Sequence, residues 1–279
     1  MGVGKRRKLG FVAAEWIVFL IALTMMYPLY LVLINSVKPL GDIITNAIAL
    51  PGTIVLDNYA NAWDALHFPT ALTNSVLVTV FSNLGVTIIA ALAAYQLVRK
   101  STRFNNMLFM LFIASMVIPF QAVMLPLVKV IRTLGLIDSV AGVVFTYWGL
   151  GLAFTIFLFH GYIKTSVPYE IEEAAVIDGC GPLGVFWRTV FPLLKPMAIT
   201  AVVLNTLWFW NDFLLPNMLL SSTKNQTIQI AINAFFGQFL TRWDLALPAL
   251  VLGTTPAVAF FLVLQRQIIE GVSSGAVKG

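Results

Sequence analysis

The chain has 279 residues, of which 59% are hydrophobic and only 10% are charged. A soluble domain usually carries about 25% charged residues, so this composition excludes a water-soluble globular protein and indicates a polytopic membrane protein. The formal net charge of +5 would suggest nucleic-acid binding only if the basic residues clustered on a soluble face, and they do not. The single cysteine excludes a disulfide framework.

Six apolar stretches are each long enough to cross a hydrocarbon core about 30 Å thick, which takes about 20 helical residues. They are predicted to be α-helices, because backbone amides find no partner in lipid and no alternating barrel pattern is present. The first stretch is too long for the apolar region of a cleaved signal peptide, so we expect it to be retained. The predicted spans are residues 11–34, 72–98, 107–128, 140–163, 197–220 and 245–269. Together they predict one all-α transmembrane domain over residues 1–279, with kinks at prolines such as Pro119.

Basic residues in the loops set the orientation of the spans. Twelve of the 17 Lys and Arg residues fall on the side that holds both termini, many of them beside span ends. Cytoplasmic loops are enriched in these residues, so both termini are predicted to be cytoplasmic. On the outer side, residues 56–63 predict a short interfacial helix that places Trp63 at headgroup level.

The loop between the fourth and fifth spans, residues 167–196, predicts a helix–turn–helix. Pro168 suits the first turn of a helix, and the glutamates that follow complement its positive end. Gly179 is placed as a left-handed stop, which gives a first helix over about 168–178. A simple surface loop packed on its own bundle and a docking element for a partner both fit this pattern.

A second helix is predicted to begin at Pro182 and to end at Pro192 and Pro196. Its apolar residues recur at helical spacing and are predicted to form one face: Leu183, Phe186, Trp187, Val190 and Phe191.

The loop carries Glu-Ala-Ala, a glycine and a final proline at fixed spacing: Glu173, Ala174, Ala175, Gly179 and Pro192. This pattern resembles the EAA loop of binding-protein-dependent ABC transporter permeases. The family typically ends the loop with Ile-x-Leu-Pro, whereas this chain has Thr189 and Phe191 in that segment. The spacing, the proline and the position between the fourth and fifth of six spans are kept.

The resemblance covers nearly the whole chain and is to the maltose-type carbohydrate permeases, specifically the shorter, six-span member of the permease pair. Further residues that look like that subfamily are Asn74-Ser75, Gly135-Leu136, Trp210-Asn211 and the tail 275–279. It implies a type I ABC importer bundle in which Glu173, Ala174, Ala175, Gly179 and Pro192 couple the pore to an ATPase.

The same resemblance implies the partners and the location. The partners would be a second, homologous permease subunit, two ATP-binding subunits, an extracytoplasmic solute-binding protein, a small carbohydrate and membrane lipid. The location would be the bacterial inner membrane. The chain would be no enzyme and hold no metal, with ATP and Mg²⁺ on the partner ATPase. A permease of the same class for a non-sugar solute, such as a polyol phosphate, is the alternative.

Motifs for nucleotide binding fail on inspection. Residues 179–184 spell G-x-G-x-x-G, but a dinucleotide site needs a preceding strand and here a helix precedes it. Val185 stands where a Walker A loop requires lysine. A membrane enzyme acting on lipid-linked sugars would need convergent carboxylates or a metal set, and the sequence offers isolated acids. A structural scaffold would not need polar residues within a span.

Polar residues within spans are candidates for a solute pathway. Asn205, Trp208 and Asp212 are predicted to share one face of the fifth span, where an indole and hydrogen-bonding groups could hold a sugar. Asn211 and Gln121, the latter in the third span, complete the predicted set. Simple helix packing is the alternative for this face.

The outer segment 221–244 is the second candidate site. In the resembled subfamily this segment touches the solute-binding protein, which implies that role for Phe235, Phe236 and Gln238. A re-entrant loop that caps the bundle is the alternative.

Overall fold

The structure, a computed structural model, describes the backbone of residues 3–236 and 242–276 and the side chains of residues 15–236, 242–263 and 265. Within those ranges the regular structure is helical, as predicted. The helices are α1 (Val3–Asn35), α2 (Leu40–Thr45), α3 (Asp57–Ala65), α4 (Phe68–Arg99), α5 (Arg103–Ser115), α6 (Phe120–Thr133), α7 (Val140–Ser166), α8 (Tyr169–Ile177), α9 (Pro182–Val185), α10 (Phe191–Leu193), α11 (Lys195–Asn211), α12 (Leu214–Leu219), α13 (Ile228–Asn233) and α14 (Trp243–Ala276). A π-helical turn covers Phe186–Val190, and a 3₁₀ turn covers Thr223–Asn225.

Four of these helices contain a stretch long and apolar enough to cross a membrane. The stretches lie at Glu15–Asn35, Phe68–Arg99, Val140–Ser166 and Trp243–Val263, which overlap the predicted first, second, fourth and sixth spans. Two bent helix pairs also pass the test, so the described residues contain up to six spans if each pair counts as one. The number six therefore stays a prediction.

The predicted third span, 107–128, is not one straight helix. Helix α5 ends at Ser115, α6 begins at Phe120, and their axes are bent by 106°. Pro119 precedes α6 in an extended conformation, with φ −62° and ψ 137°. A proline supplies no N–H and forces the residue before it out of the α region, so the kink predicted there becomes a full break.

The helices form two compact units, and the first contains Met1–Phe68 and Ile232–Thr255. In α1 every side chain from Glu15 to Tyr30 is exposed, as expected of an apolar helix whose surroundings are lipid or a partner. A short helix, α3, is present where the sequence predicts one, and its interfacial position stays a prediction. In it Trp63 is 41% exposed and packs against the ring of Phe68 at 4.4 Å.

A buried lysine organises the segment between α1 and α3. Lys38 is 1% exposed, and its ammonium donates to the carbonyls of Asn46 at 3.1 Å and Ala47 at 3.4 Å. The Asn58 amide donates to the carbonyls of Ser36 and Lys38 at 3.2 and 2.8 Å. These bonds satisfy backbone groups that would otherwise be buried without partners.

The second unit, Pro69–Ala231 with Pro256–Gly279, packs around α4 and α7. Small residues on α4, Ala90, Ala91 and Ala94, are fully buried beside Phe159 and Ile163 of α7. Without a hydrophobic driving force in lipid, association of spans depends on such close packing of small residues.

Gly85 marks another close approach of α4 and α7. The indole Nε1–H of Trp148 donates to the Phe81 carbonyl at 2.9 Å, and a Cβ at Gly85 would overlap that ring. We expect Gly85→Ala to destabilise the protein by about 1–3 kcal/mol, the usual cost of overpacking. Gly149→Ala is the control, because a Cβ there meets nothing within 4 Å. Thermal unfolding in detergent measures both, and equal melting temperatures would contradict the assigned packing.

One end of α4 holds the chain segment after α12. The Asn74 amide donates to the carbonyls of Lys224 at 2.9 Å and Gln226 at 3.0 Å. The Ser75 hydroxyl accepts the Ile228 N–H at 2.9 Å. Asn74-Ser75, noted in the sequence for its resemblance, thus fixes residues 224–228 to the start of a span.

Asp138 also forms hydrogen bonds to the chain segment that follows α12. Its carboxylate accepts the N–H groups of Ser221 and Ser222 at 2.8 and 2.9 Å, and its carbonyl accepts the Asn225 amide. Asp138 has φ +53°, in the left-handed region that Asp tolerates better than most residues. The Ser222 and Ser221 bonds hold the pKa of this carboxyl well below its usual range.

This lowered pKa gives a pH-dependent stability. A folded-state pKa below the unfolded value of about 3.9 contributes stability that is complete above pH 4 and is lost as the pH falls through the folded pKa. We expect Asp138→Asn, which keeps the backbone conformation, to melt at a lower temperature than the parent at pH 7. The difference should shrink steadily below about pH 4. A difference independent of pH would show that the charge plays no part.

Candidate functional site

The first helix of the loop 167–196 is confirmed as α8. Pro168 lies just before it in an extended conformation, and Glu170 and Glu172 occupy its first turn. Gly179 adopts φ +86°. The Cys180 N–H bonds to the Ala175 carbonyl and the Gly179 N–H to the Val176 carbonyl, both at 3.0 Å. This is the Schellman arrangement, so Gly179 is the left-handed stop that the sequence predicts.

A buried ion pair fixes α8 to α4, and sequence reasoning missed it. Glu172 accepts from Arg99 Nε at 2.7 Å and from the Tyr95 hydroxyl at 2.8 Å, and Arg99 Nη2 lies 2.6 Å from the same carboxylate. The side chains of Arg99 and Glu172 are 16% and 6% exposed. Arg99 also donates to the Val167 carbonyl at 2.8 Å and lies over the Tyr169 ring. The hydrogen bonds from Arg99 and Tyr95 to the Glu172 carboxylate together hold α8 in one orientation.

The opposite side of α8 points away from the bundle. Glu173, Ala174 and Gly179 are exposed, and Ala175 is half-buried. Large apolar side chains are exposed beside them, with Ile177 at 86% and Leu183 at 70%. We call Glu173, Ala174, Val176, Ile177 and Leu183 the exposed loop surface. An exposed apolar patch on a rigid element is typical of a protein-interaction site.

The second helix begins at Pro182 and ends at Leu193, between the two prolines predicted to end it. It consists of α9, the π-helical turn and α10, and it meets α11 at a bend of 72°. Pro192 has no N–H for the Arg188 carbonyl, and the wider π-helical turn accommodates its ring. Pro196 lies in the first turn of α11 and does not terminate a helix.

The predicted single apolar face of this second helix is also split. Phe186 and Val190 are buried in the core, while Leu183 and Trp187 are exposed, Trp187 by 42%. The extra residue in the π-helical turn rotates the side chains away from the spacing expected of an α-helix.

The predicted fifth span, 197–220, is interrupted at Asp212. Helix α11 ends at Asn211, and Asp212 is extended with φ −73° and ψ 122°. Its carboxylate accepts the Leu214 N–H at 2.9 Å, so it caps the start of α12, a use that Asp favours over a place inside a helix.

The three residues predicted to share a face of this span, Asn205, Trp208 and Asp212, all contact α7. Asn205 is 1% exposed and donates to the Thr155 hydroxyl at 3.1 Å, and Asp212 accepts from the Tyr147 hydroxyl at 2.9 Å. Both groups are directed at α7, which fits the packing alternative. Trp208 is 41% exposed and lies edge-on to Tyr147 at 5.9 Å.

The other predicted site residues lie apart from these. Asn211 is exposed, and its amide donates back to the Leu207 carbonyl at 2.7 Å. Gln121 is exposed in the first turn of α6. Phe235 is half-buried, and Phe236 is exposed and packs edge-on against Trp243 at 5.7 Å. Gln238 lies outside the described residues.

Comparison with known proteins identifies the family of the chain. The family model of binding-protein-dependent transport system inner membrane components matches residues 84–274. The chain is 36% identical to the "probable starch degradation products transport system permease protein" of Thermoanaerobacterium thermosulfurigenes, over 90% of this chain and 91% of that protein. It is also 36% identical to the melibiose/raffinose/stachyose import permease protein of Bacillus subtilis, with the same shares covered.

A solved structure shares the fold. A chain of a bacterial ABC transporter involved in the import of the acidic polysaccharide alginate superposes with a TM-score of 0.82 at 23% identity, covering 94% of this chain and 97% of that one. The likeness is that of an ABC transporter permease bundle. The chain belongs to the family of binding-protein-dependent transport system inner membrane components.

Proposed function

We propose that this chain forms half of the pore of an ATP-driven, binding-protein-dependent sugar importer. The observation that carries the proposal is the exposed loop surface, an apolar patch held rigidly by the Arg99–Glu172 pair. A loop that only connected two spans would not need a buried ion pair on one side of α8 and an exposed Ile177 on the other. In this role Glu173, Ala174, Ala175 and Gly179 enter a cleft of an ATPase subunit.

The partners follow from this role. A second, homologous permease completes the pore, two ATPase subunits hold ATP and Mg²⁺, and an extracytoplasmic protein delivers the solute. ATP binding closes the ATPase pair and carries the loop inward, so the spans open outward; hydrolysis reverses the movement. Both termini lie in the cytoplasm of a bacterial cell. This chain holds no nucleotide and performs no chemistry.

The solute proposed is a small oligosaccharide. Relatives in the comparison are named for starch degradation products and for melibiose, raffinose and stachyose. A polyol phosphate or another non-sugar solute is therefore not favoured. The apolar and acidic make-up of the exposed loop surface favours a protein partner over a lipid-linked substrate.

Reconstitution tests the proposal. The chain, its partner permease, the ATPase and the binding protein are purified together and placed in liposomes with radiolabelled raffinose or maltotriose outside. We expect ATP-dependent accumulation of at least one sugar. Co-purification without an ATPase, or an assembled complex that accumulates neither sugar, would contradict the proposal.

A further inference from the structure

A cavity in the second unit lies beside polar groups that the sequence did not single out. It has a volume of about 610 Å³, within the range of small-molecule sites. We call it the α4 cavity, since α4 supplies one wall with Thr79, Asn83 and Thr87. The other walls come from α11, α14 and the π-helical turn with α10.

The polar residues of that wall are buried, and some of their hydrogen-bonding groups have no partner among the described residues. Asn83 is 6% exposed, and its amide N–H₂ donates to the Thr79 carbonyl at 2.9 Å and the Thr206 hydroxyl at 3.0 Å. Its Oδ1 and the hydroxyls of Thr79 and Thr87 have no partner among the residues that the structure describes. Leaving such groups unpaired is costly, so their retention within a span points to a ligand.

Aromatic rings line the same cavity. Trp210 lies on α11, Phe260 on α14, and Trp187 and Phe191 on the second loop helix. Flat rings cover the C–H faces of a sugar, and amide and hydroxyl groups bond its hydroxyls. In this structure the polar atoms of Thr79, Asn83 and Thr87 lie inside the wall and are not accessible from the cavity.

We infer that the α4 cavity is a solute-contact site of this subunit, in which Asn83, Thr79 and Thr87 bond the hydroxyl groups of the transported oligosaccharide. This deepens the proposed function and rests on it. The site lies where Thr206 of α11 meets Asn83, next to the predicted pathway residue Asn205. The solute enters when the spans part and expose the three unpaired groups.

Thiol labelling tests the site without knowledge of the solute. The chain has one cysteine, so Cys180→Ser removes the thiol of this subunit, and labelling is measured on this subunit after it is separated from its partners. In the assembled transporter, Asn83→Cys and Thr87→Cys should react with a charged, membrane-impermeant methanethiosulfonate at least tenfold faster than Phe81→Cys. Phe81 is the control because it is 50% exposed on α4 but does not line the cavity. Equal rates, as expected if a lipid tail or a partner helix fills the cavity, would overturn the inference.

Uptake kinetics test the contact itself. Asn83→Leu, which keeps the number and branching of the side-chain heavy atoms, should raise the KM for raffinose or maltotriose about tenfold while the complex still assembles. Ser82→Ala is the control, because the Ser82 hydroxyl is also buried without a partner among the described residues but does not line the cavity, and it should leave the KM unchanged. An Asn83→Leu variant with the parent KM would overturn the inference while the proposed function stands. A parent complex that transports neither sugar would instead defeat the proposed function, and the labelling rates would still report whether this wall meets water.

Discussion

Replacing Gly179 with valine is expected to abolish solute uptake by the assembled transporter while the protein still inserts into the membrane. Gly179 has φ +86°, where a β-branched residue is strained by roughly 1–2 kcal/mol or more. The strain is relieved by unwinding the end of α8, which displaces the exposed loop surface. No neighbour lies within 4 Å of an added Cβ, so the core is undisturbed. Uptake and the membrane content of the protein are the measurements.

Gly181→Val is the matched control two residues away. Gly181 has φ −72° and equally open surroundings, so valine fits its backbone without strain. We expect this variant to retain most of the uptake. If Gly179→Val transported at the parent rate, the proposed docking role of the loop would be wrong.

Replacing Glu172 with glutamine should loosen α8 and lower uptake at least tenfold. The change leaves the Arg99 guanidinium, on a side chain only 16% exposed, without its counter-charge. Breaking a buried pair by removing one partner costs about 3–5 kcal/mol. For a chain of this size such a loss lowers the melting temperature by on the order of 10 °C.

Glu170→Gln provides the comparison, since Glu170 lies in the same turn but is exposed. Its melting temperature should stay within about 2 °C of the parent, because exposed charges contribute little. Similar melting temperatures for the two variants would show that the Arg99–Glu172 pair does not anchor the loop.

Local signals made α8 predictable from the sequence. Pro168, the glutamates and Gly179 lie within one helix length, and each acts on its own backbone. The long spans could also be predicted from the lengths of their apolar segments, since the thickness of the bilayer sets the length of a span. The family resemblance rested on the same loop, and the comparisons confirm it.

Long-range pairing was not predictable. Arg99 and Glu172 are 73 residues apart, and the residues around each of them do not indicate that the two side chains pair. The sequence indicated only a kink at Pro119 and no interruption at Asp212, whereas the structure has a break at each. The average hydropathy of a segment indicates whether it lies in lipid. A break in the helix depends instead on a single residue, such as a proline without an N–H or an aspartate that caps the next helix. The sequence left both a solute pathway and helix packing open for Asn205 and Asp212, because only the neighbouring helix shows which groups they contact.

Helix α4 forms hydrogen bonds to other segments of the chain at both of its ends. Asn74 and Ser75 hold residues 224–228 at one end, and Tyr95 and Arg99 hold α8 at the other. With 32 residues it is about 48 Å long, and a tilt of roughly 10° about one end would carry the other by about 8 Å. A movement of α8 that tilted α4 would therefore also displace residues 224–228, because both segments are hydrogen-bonded to the same helix.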